Sequence, residues 1–203
     1  MSSQLSKRQR QALRTKSAIV EKALSLFQER GFGAVTIEDI TTAAGVARGS
    51  FYTYFKSKSD IIVDEFWKID AYYKKYSRNL RRYDSAAERL LAFTRAQLRY
   101  VRDVVGIEHL KVLYANQTFE PGSEKVIVNP RRFWHHLIKG IIAEGQEAGE
   151  FRRDIEAERL AIFFNRSMRG VFLDWCISSA EEFDLVKEGV ASCEQWIIRS
   201  LRP

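Results

Sequence analysis

Proline, cysteine and long apolar runs are scarce in this chain of 203 residues. Three prolines and eleven glycines are too few for a collagen-like chain or for a Pro/Gly-rich disordered one. No run of about 18 apolar residues occurs, so we expect no membrane-spanning helix. Cys176 and Cys193 are too few for a disulfide framework and lack the spacing of metal ligands, which favours a reducing cytoplasm. The basic stretch 1–16 also lacks the apolar segment of a secretory signal.

Sequence signatures of enzymes and metal sites are absent as well. We find no Ser-His-Asp order, no glycine-rich phosphate loop and no cluster of metal ligands, and the chain has three histidines. On a helix, the adjacent His135 and His136 would point about 100° apart and could not chelate one ion together. His109 with one of that pair is the remaining metal alternative. The sequence therefore predicts no catalytic residues, no cofactor and no metal.

Positive charge is concentrated at the N-terminal end. The chain carries a formal net charge of +7. Residues 1–60 contain ten Lys or Arg and only five Asp or Glu. Such asymmetry is typical of a protein with a basic end that faces a polyanion. Lys7, Arg8, Arg10 and Arg14 are candidates for a mobile arm on DNA, and a solvated tail is the alternative.

Helical periodicity dominates the chain, and no alternating strand pattern or Asn-Gly hairpin signal is evident. We therefore predict an all-α fold. Capping residues are expected at Thr36 with Asp39 and at Ser85 with Glu88, and helix ends at Gly31 and Gly45. A long fourth helix is predicted over 57–82, another after Asn129-Pro130, and two further helices over 155–179 and 181–201.

Residues 36–58 have the layout of a helix-turn-helix: a short helix, a tight turn at Gly45 and a second short helix. The N-terminal residues of such a second helix contact base edges in the major groove. Arg48 can bond guanine through two N–H groups, and Gly49 allows a close approach. Ser50 and Thr53 can bond bases or phosphates.

The same stretch resembles the signature of the tetracycline-repressor (TetR) family. The matching positions are Thr36, Ile40, Ala44-Gly45-Val46, Gly49, Tyr52, Tyr54-Phe55 and Lys58. The resemblance implies an N-terminal three-helix DNA-binding domain over 1–56 and a larger helical domain over 57–203 that binds an effector and dimerises. Its double-stranded DNA target would be a palindromic operator. At Ala47 the family usually has serine, so one capping or phosphate-binding hydroxyl is absent.

The resemblance also assigns roles to individual residues. Base contacts fall on Arg48, Gly49, Ser50 and Thr53, and phosphate contacts on Thr36, Tyr52, Tyr54 and Lys58. Packing of Tyr52 and Tyr54 partly into the core is the alternative for those two side chains. Lys58 would lie in the first turn of the fourth helix, where the macrodipole disfavours a cation unless a phosphate is near.

The helix predicted over 155–179 has apolar residues around most of its circumference, so it should be buried on every side. We predict that one face meets a second copy of the chain, together with the last helix, in an intersubunit four-helix bundle. The predicted interface residues are Leu160, Phe164, Gly170, Val171, Ile177, Val190, Cys193 and Ile197. A deeply buried monomer core is the alternative.

Aromatic and polar residues of the middle helices are candidates for an effector pocket, because such pockets combine an apolar lining with few polar groups. The candidates are Phe66, Trp67, Tyr73, Arg102, His109, Tyr114, Trp134, Phe163 and Arg166. Ordinary core packing is the alternative for each of them.

The sequence thus predicts a cytoplasmic, homodimeric transcriptional regulator, a repressor released from its operator by a small-molecule effector. The alternative is a DNA-bound adaptor whose helical domain binds a protein partner. An enzyme is the third hypothesis and lacks a motif to support it.

Overall fold

A computed structural model describes residues 6–119, 125–178 and 182–203. Its described residues are helices and their connections, without a strand, which confirms the all-α prediction. The α-helices are α1 (Lys7–Arg30), α2 (Ile37–Ala44), α3 (Arg48–Tyr52), α4 (Ser59–Ser77), α5 (Ala86–Tyr100), α6 (Ile107–Phe119), α7 (Phe133–Glu147), α8 (Ala157–Ile177), α9 (Leu185–Ser192) and α10 (Ile198–Leu201). Within the described ranges, no helix is both long and apolar enough to cross a membrane.

The chain divides into two compact units. The first comprises Met1–Glu65 and Val112–Ser123, and the second comprises Phe66–Lys111 and Glu124–Pro203. Short non-α segments join some of the helices. They are 3-10 helices at Arg78–Arg82 and Val126–Val128 and π-helical turns at Val101–Val105 and Cys193–Ile197.

In the first unit, α1 packs on α2 and α2 packs on α3. A capping box of Ser6 and Gln9 starts α1, and Gly31 ends it with φ 78°. The predicted capping box of Thr36 and Asp39 starts α2. Gly45 ends α2 in the left-handed conformation with φ 65°, which glycine adopts at little cost. These local signals produce the tight turn of the helix-turn-helix.

In the second unit, α7 packs on α8, and α5 packs on α7 and α9. The predicted capping box of Ser85 and Glu88 starts α5. The Glu150 carboxylate accepts hydrogen bonds from the backbone N–H groups of Ala86 and Ala87, at 2.9 and 3.0 Å. This negative charge suits the positive end of the α5 dipole and joins α5 to the segment after α7.

Several helix boundaries differ from the sequence predictions. The helix predicted over 181–201 begins at Leu185 and is divided into α9, a π-helical turn and α10. The fourth helix is α-helical to Ser77 and then narrows to a 3-10 helix, so the predicted single helix 57–82 is wrong in its last turn. The helix expected to start at Pro130 begins instead at Phe133, after Arg132. The predicted 155–179 helix is α8 and starts after Glu156, and residue 179 lies outside the described residues.

Gly145 in α7 allows a close approach that no other residue permits. A Cβ atom there would lie 2.6 Å from Cε2 of Phe151 and 2.8 Å from Cβ of Ala86. Both neighbours are buried, so the clash cannot be relieved at the surface. Gly140, in the same helix, has no atom within 4 Å of the equivalent position.

We therefore predict that Gly145→Ala lowers the free energy of unfolding by about 1–3 kcal/mol, because it overpacks the core. Gly140→Ala is the matched control, and it should leave stability unchanged or raise it by up to about 1 kcal/mol through helix propensity. Chemical denaturation of both variants measures the difference. Equal effects of the two substitutions would contradict the close packing around Gly145.

Candidate functional site

The orientation of α3 follows from two buried aromatic residues in the first unit. Phe51 is 0% exposed and Phe55 is 4% exposed, and their ring centroids lie 5.7 Å apart. With Phe51 inward, the opposite side of α3 faces solvent. Gly49 and Thr53 are exposed there, and Arg48, three positions before Phe51, is exposed at the flank of the helix.

The two tyrosines predicted to contact phosphates differ in exposure. Tyr52 is 48% exposed, and its ring packs edge-on against Phe51 with centroids 5.5 Å apart. Tyr54 is half-buried. Both rings are therefore partly packed against the protein, as in the predicted alternative. Tyr52 has the larger solvent-exposed fraction of the two.

Polar side chains on α3 are bonded within the helix. The Tyr52 hydroxyl bonds the Arg48 guanidinium and raises the pKa of Arg48. The Thr53 hydroxyl donates to the carbonyl oxygen of Gly49 at 3.3 Å. Ala47 at the N-cap forms no side-chain cap, as the missing serine led us to expect. Ser50 is half-buried beside these groups.

Thr36 and Lys58 are both engaged in structural bonds. The Thr36 hydroxyl donates to Asp39 Oδ2 at 2.6 Å and accepts from the Asp39 N–H at 3.1 Å. These bonds, the Thr36 backbone N–H and the nearby Arg30 lower the pKa of Asp39. The Lys58 ammonium donates to three backbone carbonyls, of Phe32, Gly33 and Val35. The phosphate contacts of Thr36 and Lys58 stay predictions.

A groove of about 600 Å³ lies between the start of α1 and the region of α3, and we call it the α1–α3 groove. Its lining residues are Lys7, Arg8, Gln11, Ala12, Thr15, Ser50, Thr53 and Tyr54. Lys7 and Arg8 are exposed and form no ion pair within the described part of the chain. The mobile-arm prediction is wrong for residues 7–14, because they belong to the first turns of α1.

In the second unit, Phe66 and Trp67 flank a buried ion pair. The Arg132 guanidinium lies 4.8 Å from the Phe66 ring centroid and 6.0 Å from that of Trp67. Arg132 Nη2 donates to Asp70 Oδ1 at 2.7 Å, and the Phe133 N–H donates to Asp70 Oδ2 at 3.2 Å. The charge of Arg132 is thus balanced by Asp70. Sequence reasoning missed both residues, because their pairing joins α4 to a distant turn.

Two further pocket candidates, Tyr73 and Trp134, are buried in the second unit. Tyr73 packs against Phe93 with ring centroids 5.1 Å apart, and burial raises the pKa of Tyr73. Trp134 packs near Phe164, at 6.2 Å. Trp134 Nε1 and Gln97 Oε1 are buried atoms without a hydrogen-bond partner among the described residues. Gln97 was not predicted, since nothing in its local sequence distinguishes it.

The other pocket candidates are not gathered with these residues. Arg102 is exposed and bonds the neighbouring Asp103 carboxylate at 2.6 Å, and Arg166 is exposed on α8. Phe163 is exposed beneath the Arg159 guanidinium. These three side chains lie on outer faces of their helices, apart from the buried candidates, and their role in effector binding stays a prediction. His109 is half-buried with Nδ1 2.9 Å from the Val105 carbonyl oxygen, and Tyr114 belongs to the first unit.

Five predicted interface residues are buried within their own protomer: Leu160, Phe164, Val171, Cys193 and Ile197. These five side chains offer little surface to a partner, and their role in an interface stays a prediction. Val190 is half-buried. The helix α8 is therefore not buried all round, because one stripe of it packs inward and the opposite side reaches solvent.

Large apolar side chains do occupy the outer side of the second unit. On α8 these are Phe163, Leu173 and Ile177, which recur with Gly170 at helical spacing. Ile177 is 75% exposed, and Trp196 in the π-helical turn before α10 is 76% exposed. We call Phe163, Gly170, Leu173 and Ile177 the outer stripe of α8. Gly170 has no atom within 4 Å of a Cβ position, so nothing in the protomer requires glycine there.

In the described part of the chain, no group of three His, Cys, Asp or Glu side chains is arranged to hold a metal ion. A family model described as "Bacterial regulatory proteins, tetR family" matches residues 19–64, which contain α2 and α3. The match therefore falls on the same segment that carries the exposed side of α3.

Relatives extend the similarity beyond that segment. The HTH-type transcriptional repressor KstR2 of Rhodococcus jostii is 33% identical over 167 residues, covering 79% of this chain and 78% of that protein. The HTH-type transcriptional repressor DhaR of Mycobacterium sp. strain GP1 is 31% identical over 165 residues, covering 76% and 79%. Both names denote transcriptional regulators.

A solved structure has the same fold. FadR of Thermus thermophilus, a TetR-family transcriptional repressor in complex with lauroyl-CoA, aligns with a TM-score of 0.74 at 22% identity. The alignment covers 91% of this chain and 94% of that one. With the helix-turn-helix, the family match and the two relatives, it follows that this chain belongs to the TetR family of bacterial regulatory proteins.

Proposed function

We propose that this protein is a cytoplasmic, homodimeric repressor that binds a palindromic operator and is released by a small-molecule effector. In this proposal residues 1–56 form the DNA-binding domain, and residues 57–203 form the effector-binding and dimerisation domain. The observation that carries the proposal is the exposed side of α3. Burial of Phe51 and Phe55 orients this side toward solvent, and it belongs to the basic segment 1–60.

Contacts to DNA follow from which groups are exposed. Arg48 and Gly49 begin α3, where a recognition helix meets base edges, and an arginine guanidinium can bond guanine through two N–H groups. Ser50 and Thr53 lie beside them and also line the α1–α3 groove. Thr36, Tyr52 and Tyr54 are the proposed phosphate contacts. Lys7 and Arg8, in the same groove, supply the positive charge that a phosphate backbone attracts.

We expect Arg48→Ala to weaken operator binding by about 1–3 kcal/mol and to relax the preference at one base pair. Arg48→Lys is the matched control, because it keeps the charge and loses the two-bond geometry. Selection from a pool of random duplexes, followed by titration of the selected sites, measures both quantities. If Arg48→Ala weakens binding to every sequence equally, Arg48 contacts a phosphate and not a base. If the unmodified protein selects no sequence at low salt, the repressor proposal fails.

The outer stripe of α8 is the proposed dimer surface. Glycine in the exposed middle of a helix costs about 1 kcal/mol relative to alanine, and the protomer offers no reason for Gly170. Close approach of a partner helix would supply one. Phe163, Leu173 and Ile177 lie on the same side, and a second copy would remove their apolar surface from water. Two-fold symmetry would also place two copies of α3 on a palindromic site.

Ile177→Glu should therefore convert the dimer to monomers, since a carboxylate would be buried in an apolar seam. We expect the dimer dissociation constant to rise on the order of 100-fold. Val104→Glu is the matched control, because Val104, like Ile177, is an exposed β-branched side chain. It is 62% exposed and lies outside α8. Sedimentation over a range of concentrations gives both constants. A dimer that survives Ile177→Glu unchanged would move the interface elsewhere.

The two unpartnered polar atoms in the second unit support the effector part of the proposal. Leaving a buried donor or acceptor unsatisfied costs about 1–3 kcal/mol, and a ligand that bonds it recovers that cost. Trp134 Nε1 donates and Gln97 Oε1 accepts, so the proposed effector carries a hydrogen-bond acceptor, a donor or both on an apolar body. Because Asp70 balances the charge of Arg132, this ion pair adds no net positive charge for an anion.

We predict that an effector of this chemistry raises the melting temperature and releases the protein from its operator, because it stabilises one conformation. A panel of apolar alcohols, phenols and acids tests this, with lauroyl-CoA included as a probe because it occupies the Thermus relative. Trp134→Phe removes the indole N–H and should weaken effector binding about tenfold, whereas Trp196→Phe, on the surface, should not. If no compound releases the operator, the adaptor alternative with a protein partner replaces the effector part.

A further inference from the structure

The Lys58 ammonium is saturated by backbone carbonyls within the first unit. Its Nζ lies 2.7 Å from the carbonyl oxygen of Phe32, 3.3 Å from that of Gly33 and 2.6 Å from that of Val35. An ammonium has three N–H donors and no acceptor, so these three bonds use all of them. Nζ also lies 4.5 Å from the centre of the Phe32 ring, which a cation favours.

The accepting carbonyls belong to one short loop. That loop joins Gly31, which ends α1, to Thr36, which caps α2. Val35 is fully buried, Phe32 is half-buried and Gly33 is exposed. The loop thus receives three hydrogen bonds from a cation outside its own sequence, and Lys58 directly precedes the first residue of α4.

We propose that Lys58 is a positioning residue and not a phosphate contact: its ammonium ties the start of α4 to the loop before α2, and so holds the helix-turn-helix in its DNA-binding position. A phosphate contact would require Nζ to leave at least one of the three carbonyls. The carbonyls also offset the repulsion between the ammonium and the positive end of the α4 dipole. Their partial negative charge takes the place of a phosphate. Partial burial lowers the pKa of Lys58.

The two nearby carboxylates, of Asp60 and Asp64, bond other groups than the Lys58 ammonium. Asp60 Oδ2 accepts from the backbone N–H groups of Lys56 and Ser57, at 2.8 and 3.0 Å, and so caps the start of α4. Asp64 pairs with Lys16 at 2.6 Å. The start of α4 therefore has two separate attachments in the first unit, a salt bridge to α1 and the Lys58 bonds to the loop before α2.

The inference rests on the proposed DNA binding. The salt dependence of duplex affinity distinguishes a positioning role of Lys58 from a phosphate contact. The logarithm of duplex affinity falls with the logarithm of salt concentration, with a slope of about 0.9 for each phosphate neutralised. With a duplex of about 30 random base pairs as the probe, Lys58→Met should lower affinity about tenfold at every salt concentration and leave the slope unchanged. Lys7→Met, in the α1–α3 groove, should instead reduce the slope by about 1 per subunit.

Three controls separate positioning from loss of charge and from general destabilisation. Lys56→Met removes an exposed cation two residues away without touching the loop. Gly145→Ala destabilises the second unit and should leave duplex affinity unchanged, although its melting temperature falls. Amide hydrogen exchange gives the local reading, since Lys58→Met should speed exchange about tenfold or more in segment 31–37 alone.

Lys58→Arg provides a test if the methionine variant does not fold. Arginine keeps the charge but presents a planar fork that does not fit three converging carbonyls. We expect Lys58→Arg to speed exchange in segment 31–37 and to lower affinity without a change of slope. A slope reduced by about 1 in Lys58→Met, or normal affinity and exchange in Lys58→Arg, would overturn the inference and restore the phosphate contact. If the unmodified protein binds no duplex, the proposed function fails, and hydrogen exchange alone still decides whether Lys58 holds the loop.

Discussion

Burial of Phe51 is the constraint on which the proposed DNA-binding surface depends. The helix α3 has five residues, far fewer than a helix needs to be stable in water by itself. Its stability therefore comes from tertiary packing, and a fully buried phenylalanine contributes about 1.5–3 kcal/mol. Since Phe51 faces inward, Gly49 and Thr53 on the opposite side of the helix face solvent, and Arg48 is exposed at the flank of the helix. The surface that we propose for base recognition is thus a consequence of the core beneath it.

The same physical rule explains which sequence predictions succeeded. The capping boxes at Thr36 and Ser85 and the glycine at position 45 are local features, because each depends on residues within four positions of itself. The helix-turn-helix is built from such features, and its motif was therefore recognisable from the sequence. The family match over residues 19–64 confirms that recognition.

Predictions that depended on tertiary partners failed more often. Apolar residues on every side of α8 indicated burial, but periodicity does not distinguish a protomer's own core from a partner's surface. Cys193 and Phe164 proved to be core, whereas Ile177 is largely exposed. The bonds of Lys58 were not predictable for a related reason, because its partners are backbone carbonyls, which the residue types at positions 32, 33 and 35 do not reveal. The buried pair of Arg132 and Asp70 spans 62 positions and had no local signal.

Two sets of cations near helix starts illustrate how the basic charge of residues 1–60 is divided. Lys58 has its donors satisfied inside the first unit, so its charge stabilises the fold and contributes little to the surface. Lys7 and Arg8 stand in the first turn of α1, where no acidic residue offsets the helix dipole. That unfavourable location is relieved when an anion approaches, which makes these two side chains better placed than Lys58 to attract a phosphate backbone. Net charge alone therefore overstates the DNA-facing charge of this segment, and hydrogen-bond partners decide which cations remain available to DNA.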